Sequence, residues 1–521
     1  KELAAGKYDK LLGTFEWHAD YARKAMKLTE EGIGERMTEL AKSVKADGGK
    51  LVVFNPLPWV RSGLVNMELP AGVQIPAAVR DLASGDETAV SVTGGMISFA
   101  AKEVPAGGYR TFSMVEKATV VVTATAAEAL ETAHFRVKFD TKRGGIASLV
   151  NRSDSRELAS TGEHALGQYL HERFSKREVD SFLKAYCQVY YEWYGFPLYD
   201  FNKPRLDSTL SYARITPEGW TLKIIKQADG DRAVMTAKNT FGLAEGISLQ
   251  FFFPNDRPYV DITWSVTGKT PEIIPEGGWL CLPLAINDPA FRVSHVSAPF
   301  SPEKDLVPGS NAHLFSIDYG ISVRNGEAGP GVGVASSDLP LWSIGEPGLW
   351  KYSPKYLPRK AELFANLYNN QWNTNYPLWI DGTWSASIRL WPVSEKASEE
   401  EALFTPAWEY RQGFLTGYAD GPGGKLPVTQ TGLSLSRKGI RVTAFCPNPD
   451  ADQGVEGTLV RVWEQAGQSG EVALTLPEGF KATKAQPVSL RGEKAGKAVS
   501  IKGGKLTFEL GAYAPASFVI R

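Results

Sequence analysis

The sequence predicts a mostly β chain of several β-sandwich domains with a short helical start. Short runs that alternate apolar and polar residues recur at roughly 8–12-residue spacing, the pattern of sandwiches and barrels. Gly and Pro total 51 and 32, enough to turn many strands. Helical periodicity dominates only the start, and nowhere do strand and helix patterns alternate as a parallel α/β sheet requires. The chain has 521 residues, beyond the roughly 250–300 that one hydrophobic core serves, so about two to four domains are expected.

Residues 7–46 read as helix, because Leu11, Leu12, Phe15, His18, Ala22, Ala25 and Met26 recur three and four apart. "EEGIGER" (30–36) breaks the pattern, and Ile33, Met37, Leu40, Ala41 and Val44 restart it. Two helices, or one broken helix, are expected. A helical pair this short cannot bury its own apolar face and must dock on something else. From Leu51 the period changes to two. Strands are predicted at 65–69, 95–99, 109–115, 134–139, 222–226, 247–253 and 259–266, and again at 472–476, 506–510 and 517–521. Punctuation sets the boundaries: a helical segment 1–47, a small β-sandwich 48–125, a large β domain 126–416, and a last β-sandwich 417–521 after the Gly/Pro-rich joint "GYADGPGGKLP". The aromatic and charged stretch 166–201 reads as a long excursion from the large sandwich.

Composition excludes several functions. Charged residues make up 22% and the net charge is −1, so no basic excess points to nucleic acid or an acidic membrane. No window approaches the roughly 18 apolar residues of a membrane span. Cys187, Cys281 and Cys446 are far apart, odd in number and free of any CxxC, so buried free thiols are expected rather than a disulfide framework or a thiolate zinc site. The chain starts at Lys1 without Met, which reads as a processed product or a piece of something longer.

The stretch "ANLYNNQWNTNYPLWIDGTW" (365–384) concentrates five asparagines and five aromatics. Sugars bind by stacking an apolar face on a ring while fixed amides hydrogen-bond the hydroxyls, and asparagine both donates and accepts. The same composition fits a β-edge and loop whose Asn residues satisfy local backbone and whose Trp residues pack inward. Both readings stand at this point. Its end, "WIDGTW", carries a hairpin signal: strand, Asp-Gly turn, strand.

Other motifs are weaker. His18-x-Asp20 could offer two zinc ligands from a loop, but it lies in a helical pattern where i and i+2 do not share a face. A partly buried helix histidine is expected there. "QYLHERF" (168–174) offers His171, Glu172 and Arg173 to a cleft as acid, base and cation, or Glu172 and Arg173 as a solvated pair on a surface helix. "GPGVGV" (329–334) carries a proline and no following helix, so the dinucleotide reading is rejected. Glycoside hydrolysis usually needs two carboxylates roughly 5–10 Å apart. Glu276 and Asp381 are candidates, and no spacing singles out a pair.

Several stretches, in order along nearly the whole chain, resemble glycoside hydrolase family 38, the zinc-dependent retaining α-mannosidases. "VVFNPLPWVRSGLV" (52–65) resembles the start of that family's first β domain after its helical bundle. "FRVKFDTKRGGIASLVNR" (135–152) resembles the opening of its large sandwich. "GTLVRVWEQAG" (457–467) and "LGAYAPASFVIR" (510–521) resemble its terminal β domain. "NNQWNTNYP" (369–377), "GQYLHERFS" (167–175) and "IIPEGGWLCLPL" (273–284) resemble a bacterial branch.

The resemblance implies that the large domain is a galactose-mutarotase-like supersandwich, packed on an N-terminal α/β barrel and lending loops to its sugar cleft. The family's zinc ligands and nucleophilic Asp sit mainly on that barrel, and no stretch here resembles it. The chain is then expected to be the helical tail and C-terminal β portion of a mannosidase-like enzyme. No cofactor is expected in this chain, and zinc is expected in the intact enzyme. Expected partners are a carbohydrate (an α-mannoside or related glycan) and the missing catalytic barrel, with neither nucleic acid nor membrane. The candidate substrate-binding residues are Tyr368, Asn369, Asn370, Trp372, Asn373, Asn375, His171 and Glu172, while Trp379 and Trp384 serve the hairpin core. Two other readings remain. One is a self-contained lyase or epimerase with a cluster drawn from His171, Glu172, Glu276 and His295. The other is an interaction module for a partner chain that carries the barrel.

Overall fold

The computed structural model describes residues 7–116, 123–125, 127–186, 206, 209–296, 298–372 and 376–521. Asp9–Ser43 form a single α-helix, so the break expected at 30–36 does not occur. Gly32 and Gly34 each cost a helix about 1 kcal/mol relative to alanine, but neither removes a main-chain donor. Lys27–Glu31 and Arg36–Glu39 pair along the surface there. The buried side chains described on it lie in the last turns: Met37, Ala41 and Val44 meet Val52, Tyr109 and Ala419. Trp17, Tyr21, Met26 and Leu28 are exposed, so much of the helix's apolar surface is uncovered.

The mostly β, multi-sheet architecture is as the sequence predicts. Lys50–Phe54 is a strand covered on both faces, which is why its sequence is almost continuously apolar. Leu51 and Val53 turn toward Val65, Ile97, Phe99 and Phe112, and Val52 turns toward the helix. The strand lies between Tyr109–Val115 and Leu415–Ala419, antiparallel to both. Thr429–Gln430 also pairs with Tyr109–Val115. The stretch around the boundary expected at 416/417 thus returns to the first β unit before the chain enters the last one. Thr123–Thr125, just before the boundary expected at 125, pairs with Thr221–Gln227 of the large sandwich.

The large sandwich consists of two sheets. One has six strands, in the order Ala213–Ile215, Gln168–Arg173, Glu276–Pro283, Glu362–Asn369, Leu341–Ile344 and Phe315–Ser316. The other has nine, with Gly382–Val393, Val260–Lys269 and Ala244–Pro254 at its centre. Tyr169, Leu280, Leu282 and Leu363 from the first meet Leu249, Ile262, Trp264 and Ile388 from the second in one core. Each such side chain contributes about 1.5–3 kcal/mol when fully buried. "GPGVGV" contributes to the strand Gly331–Ser336.

Two local expectations are corrected. The start of the 166–201 excursion, Gln168–Arg173, is an interior strand rather than a surface helix. Its outer face is covered by the helix Lys176–Tyr186, through Val179, Phe182 and Leu183. The "WIDGTW" hairpin does not form. Glu362–Asn369 and Gly382–Val393 belong to different sheets, so 370–381 crosses between them. Gly382, at φ +103°, opens the second strand in a conformation that favours glycine. Trp384 packs on Trp264 and Tyr368, and Trp379 meets Tyr8 of the helical start.

The last unit pairs two sheets over Val460, Val462, Val472, Leu474, Leu506 and Phe518. A helical segment, Glu400–Phe404 with π-type turns and Thr405–Arg411 with α turns, packs against Trp59, Tyr319, Trp391 and Ala466. It ties the three β units together. Cys281 is buried, but Cys446 is exposed, contrary to the expectation for all three thiols; Cys187 lies outside the described residues. Among the described residues, no helix is long and apolar enough to cross a membrane.

Candidate functional site

Strand alternation divides the predicted residues among three places. On Gln168–Arg173, Tyr169 and His171 turn into the sandwich, while Leu170 and Glu172 turn toward the covering helix. The inward residues form a buried polar cluster. The Tyr169 and Tyr368 hydroxyls are 2.5 Å apart, and His171 Nδ1 lies 3.0 Å from the Tyr368 hydroxyl. Glu276 Oε2 is 3.9 Å from His171 Nε2, and Lys269 Nζ donates to Glu276 Oε1 at 2.6 Å. Burial pushes Glu276 up to about 7, against the pull of the Lys269 ammonium. Burial, helped by the charges of Lys269 and Arg173, holds His171 down at about 3, so the ring is neutral at pH 7. Tyr368 and His171 were expected at a sugar rim, but they are 6% and 2% exposed.

Glu172 is also interior, under the helix. Trp279 Nε1 donates to its Oε2 at 2.8 Å and the Tyr212 hydroxyl to its Oε1 at 2.5 Å, with Arg214 Nε 3.6 Å away. It is a satisfied buried carboxylate rather than a solvated surface charge. His171, Glu276 and Tyr368 therefore converge, whereas Glu172 faces away from them. His295 is exposed and packs on Phe300. Asp381, the other carboxylate considered, is exposed just before Gly382.

The third place is a cleft of about 360 Å³ beside the crossing segment. Asn369, Asn370 and Trp372 line it, as do Gln371, Tyr376 and Tyr186. Trp372 and Tyr376 are 41% and 57% exposed, and their rings lie 6.4 Å apart. Asn370 acts as a clasp for main chain. Its Oδ1 accepts from the Glu276 N–H at 2.8 Å, and its Nδ2 donates to the carbonyls of Glu272, Ile274 and Leu378. Asn366 donates to the Gly278 and Tyr368 carbonyls and holds Asn369 through its own Oδ1. Thus part of the asparagine cluster fixes the loop from which the rings project. Gln371 is buried, and its Oε1 has no hydrogen-bond partner. Asn373 and Asn375 lie outside the described residues. Sequence reasoning passed over Gln371, Tyr376 and Tyr186. The first two lie inside the asparagine-rich stretch and could have been found there. Tyr186 comes from the covering helix, and only the fold brings it near.

Among the described residues, no three or more His, Cys, Asp or Glu side chains are gathered to hold a metal ion. Asp20 pairs with Lys24 at 2.6 Å on an exposed helix.

Residues 110–258 match a family model described as a domain of unknown function (DUF5054), well under half of the chain. No curated protein matches the sequence. Among solved structures, an α-mannosidase from Enterococcus faecalis V583 matches with a TM-score of 0.61 at 10% identity, over 92% of this chain and 57% of that one. A protein in glycosyl hydrolase family 38 from Enterococcus faecalis matches with a TM-score of 0.62 at 11% identity, over 92% and 60%. The likeness is one of fold. This chain spans less than two thirds of the length of either structure. A galactose mutarotase-like protein from Lactobacillus casei ATCC 334 matches over 53% of this chain at 10% identity, with a TM-score of 0.30, too low to add to the argument.

Proposed function

We propose that this chain is the β portion of a glycoside hydrolase resembling α-mannosidases. In this reading it scaffolds a catalytic barrel and offers a carbohydrate-binding cleft at Asn369–Trp372 and Tyr376. The observation that carries the reading is the cleft itself. Two large rings stand half-exposed on a loop that the Asn370 amide holds to main chain, an arrangement suited to stacking on a sugar's apolar face. Tyr368, His171 and Glu172 then support the cleft from within rather than touch the sugar. The uncovered surface of the 9–43 helix supports docking of a further portion that carries the barrel and its zinc.

The test is hydrolysis of a panel of aryl glycosides, α-mannoside included, by this chain alone, with and without added zinc. No turnover is expected under any condition. Turnover would overturn the claim that catalysis lies elsewhere and would direct attention to the His171–Tyr368–Glu276 cluster.

A further inference from the structure

A second cleft, about 460 Å³, opens between the first β unit and the outer face of the nine-stranded sheet. Its sheet side presents Gln250, Thr263 and Ser387, with Thr263 Oγ1 and Ser387 Oγ 2.9 Å apart. Its other walls carry Arg61 of the strand Arg61–Glu68, Tyr410 of the helical segment and Phe414 beyond it. Four arginines line it: Arg61, Arg232, Arg257 and Arg389.

Three of these have dedicated carboxylates. Arg232 holds Asp229 through two nitrogens at 2.8 and 2.6 Å, and Arg389 holds Asp261 through two at 2.7 and 2.8 Å. Arg257 Nη1 donates to Glu409 Oε2 at 2.5 Å. Arg61 has none. Its Nη1 donates to the main-chain oxygen of Glu409 at 3.1 Å, its face lies 4.1 Å from the Phe414 ring centroid, and among the described residues its Nε and Nη2 have no hydrogen-bond partner. The residue is 5% exposed. Burial pushes its pKa down to about 10; the Glu409 charge opposes this and Arg257 and Arg389 add to it. It therefore stays charged at neutral pH, and of the four guanidinium groups it is the one without an ion pair among the described residues.

A buried guanidinium without a counter-anion is costly to hold, so its vacant edge calls for an explanation. The vacant atoms are adjacent on one edge of the guanidinium. Nε–H and Nη2–H form a parallel fork that matches the two oxygens of a carboxylate or the oxygens of a sulfate ester. Phe414 stacks on the face and both edge nitrogens are covered, so a ligand reaches that edge only when Phe414 shifts. The neighbouring hydroxyls and amide suit a hydroxylated body beyond the anion.

We propose that this interdomain cleft binds a sugar bearing one carboxylate or sulfate group. The oxyanion seats on the Nε/Nη2 edge of Arg61, after a small outward movement of Phe414, and the sugar hydroxyls meet Thr263, Ser387 and Gln250.

The test is calorimetric titration of the chain with glucuronate, glucose 6-sulfate, glucose and inorganic sulfate. One of the two acidic sugars is expected to bind, glucose roughly tenfold or more weaker, as the loss of a charge-assisted fork implies. Which acidic sugar binds identifies the group. Arg61→Gln should abolish that binding. Should R61Q fail to fold, Glu409→Gln is read instead; by removing a competing carboxylate it should tighten binding. The proposal is overturned if neither acidic sugar binds, or if folded R61Q binds as the wild type does. It is overturned equally if E409Q gives no tightening, or if inorganic sulfate binds as well as the sugars.

Discussion

Replacing Lys269 with methionine lowers the stability of the chain by about 1–3 kcal/mol, the loss of a charge-assisted hydrogen bond in a buried pair whose carboxyl, already held at about 7, can take up a proton. Lys269 is 4% exposed and Glu276 1%. The ammonium donates to Glu276 Oε1 at 2.6 Å and to the Thr270 carbonyl at 3.0 Å, and it lies 4.9 Å from the Tyr368 ring centroid. Without it, the nearest basic group to Glu276 is His171 at 3.9 Å, whose buried ring is neutral. The carboxylate must then stay charged without a partner or take up a proton, and either outcome costs stability. The double variant K269M/E276L removes both charges and should recover most of the loss, because an apolar pair avoids the desolvation penalty. Urea unfolding at pH 7.5 measures both. A K269M midpoint equal to wild type would show that the pair contributes nothing.

Replacing Trp279 with alanine costs about 3–5 kcal/mol through the lost burial and the cavity left behind. Trp279 is fully buried, with Phe364 beside it and Leu170 and Phe182 in the same cluster. Its indole N–H also satisfies Glu172 Oε2 at 2.8 Å. Trp279→Phe keeps most of the volume but leaves that oxygen unpaired, so an intermediate loss of about 1–3 kcal/mol is expected. Glu172→Gln in the W279F background should soften the loss, because the neutral amide is cheaper to bury. Thermal melts of the four proteins decide the matter. W279F behaving as wild type would mean the hydrogen bond carries no weight.

Period-two runs were legible as strands along most of the chain because backbone alternation writes itself into composition. Sheet membership was not. "WIDGTW" has the residues of a hairpin, yet only its second side is a strand, and that strand pairs with Val260–Lys269, more than a hundred residues away, rather than with Trp379 and Ile380. "QYLHERF" looked polar because it buries His171 and Glu172, and their partners Tyr368, Trp279 and Tyr212 come from distant segments. The Asn370 clasp was equally hidden, since it bonds main chain at positions 272, 274 and 276. The exposed rings of the cleft lay inside the stretch that the sequence singled out. Arg61 did not attract notice, because an arginine stands out only once its neighbours are seen to be already paired.

The carbohydrate-binding cleft is tested most directly by titrating the chain with methyl α-mannoside and a set of other methyl glycosides, wild type beside Trp372→Ala, with a melt of each protein. Saturable binding of at least one glycoside by the wild type is expected, weakened roughly 3–10-fold in W372A by the loss of about 1 kcal/mol of ring contact. Trp372 is 41% exposed, so its loss is expected to cost less stability than the about 3–5 kcal/mol of a fully buried tryptophan. Equal binding by the two proteins, or a large fall in melting temperature with binding unchanged, would show that the rings serve the fold and that the cleft is no sugar site.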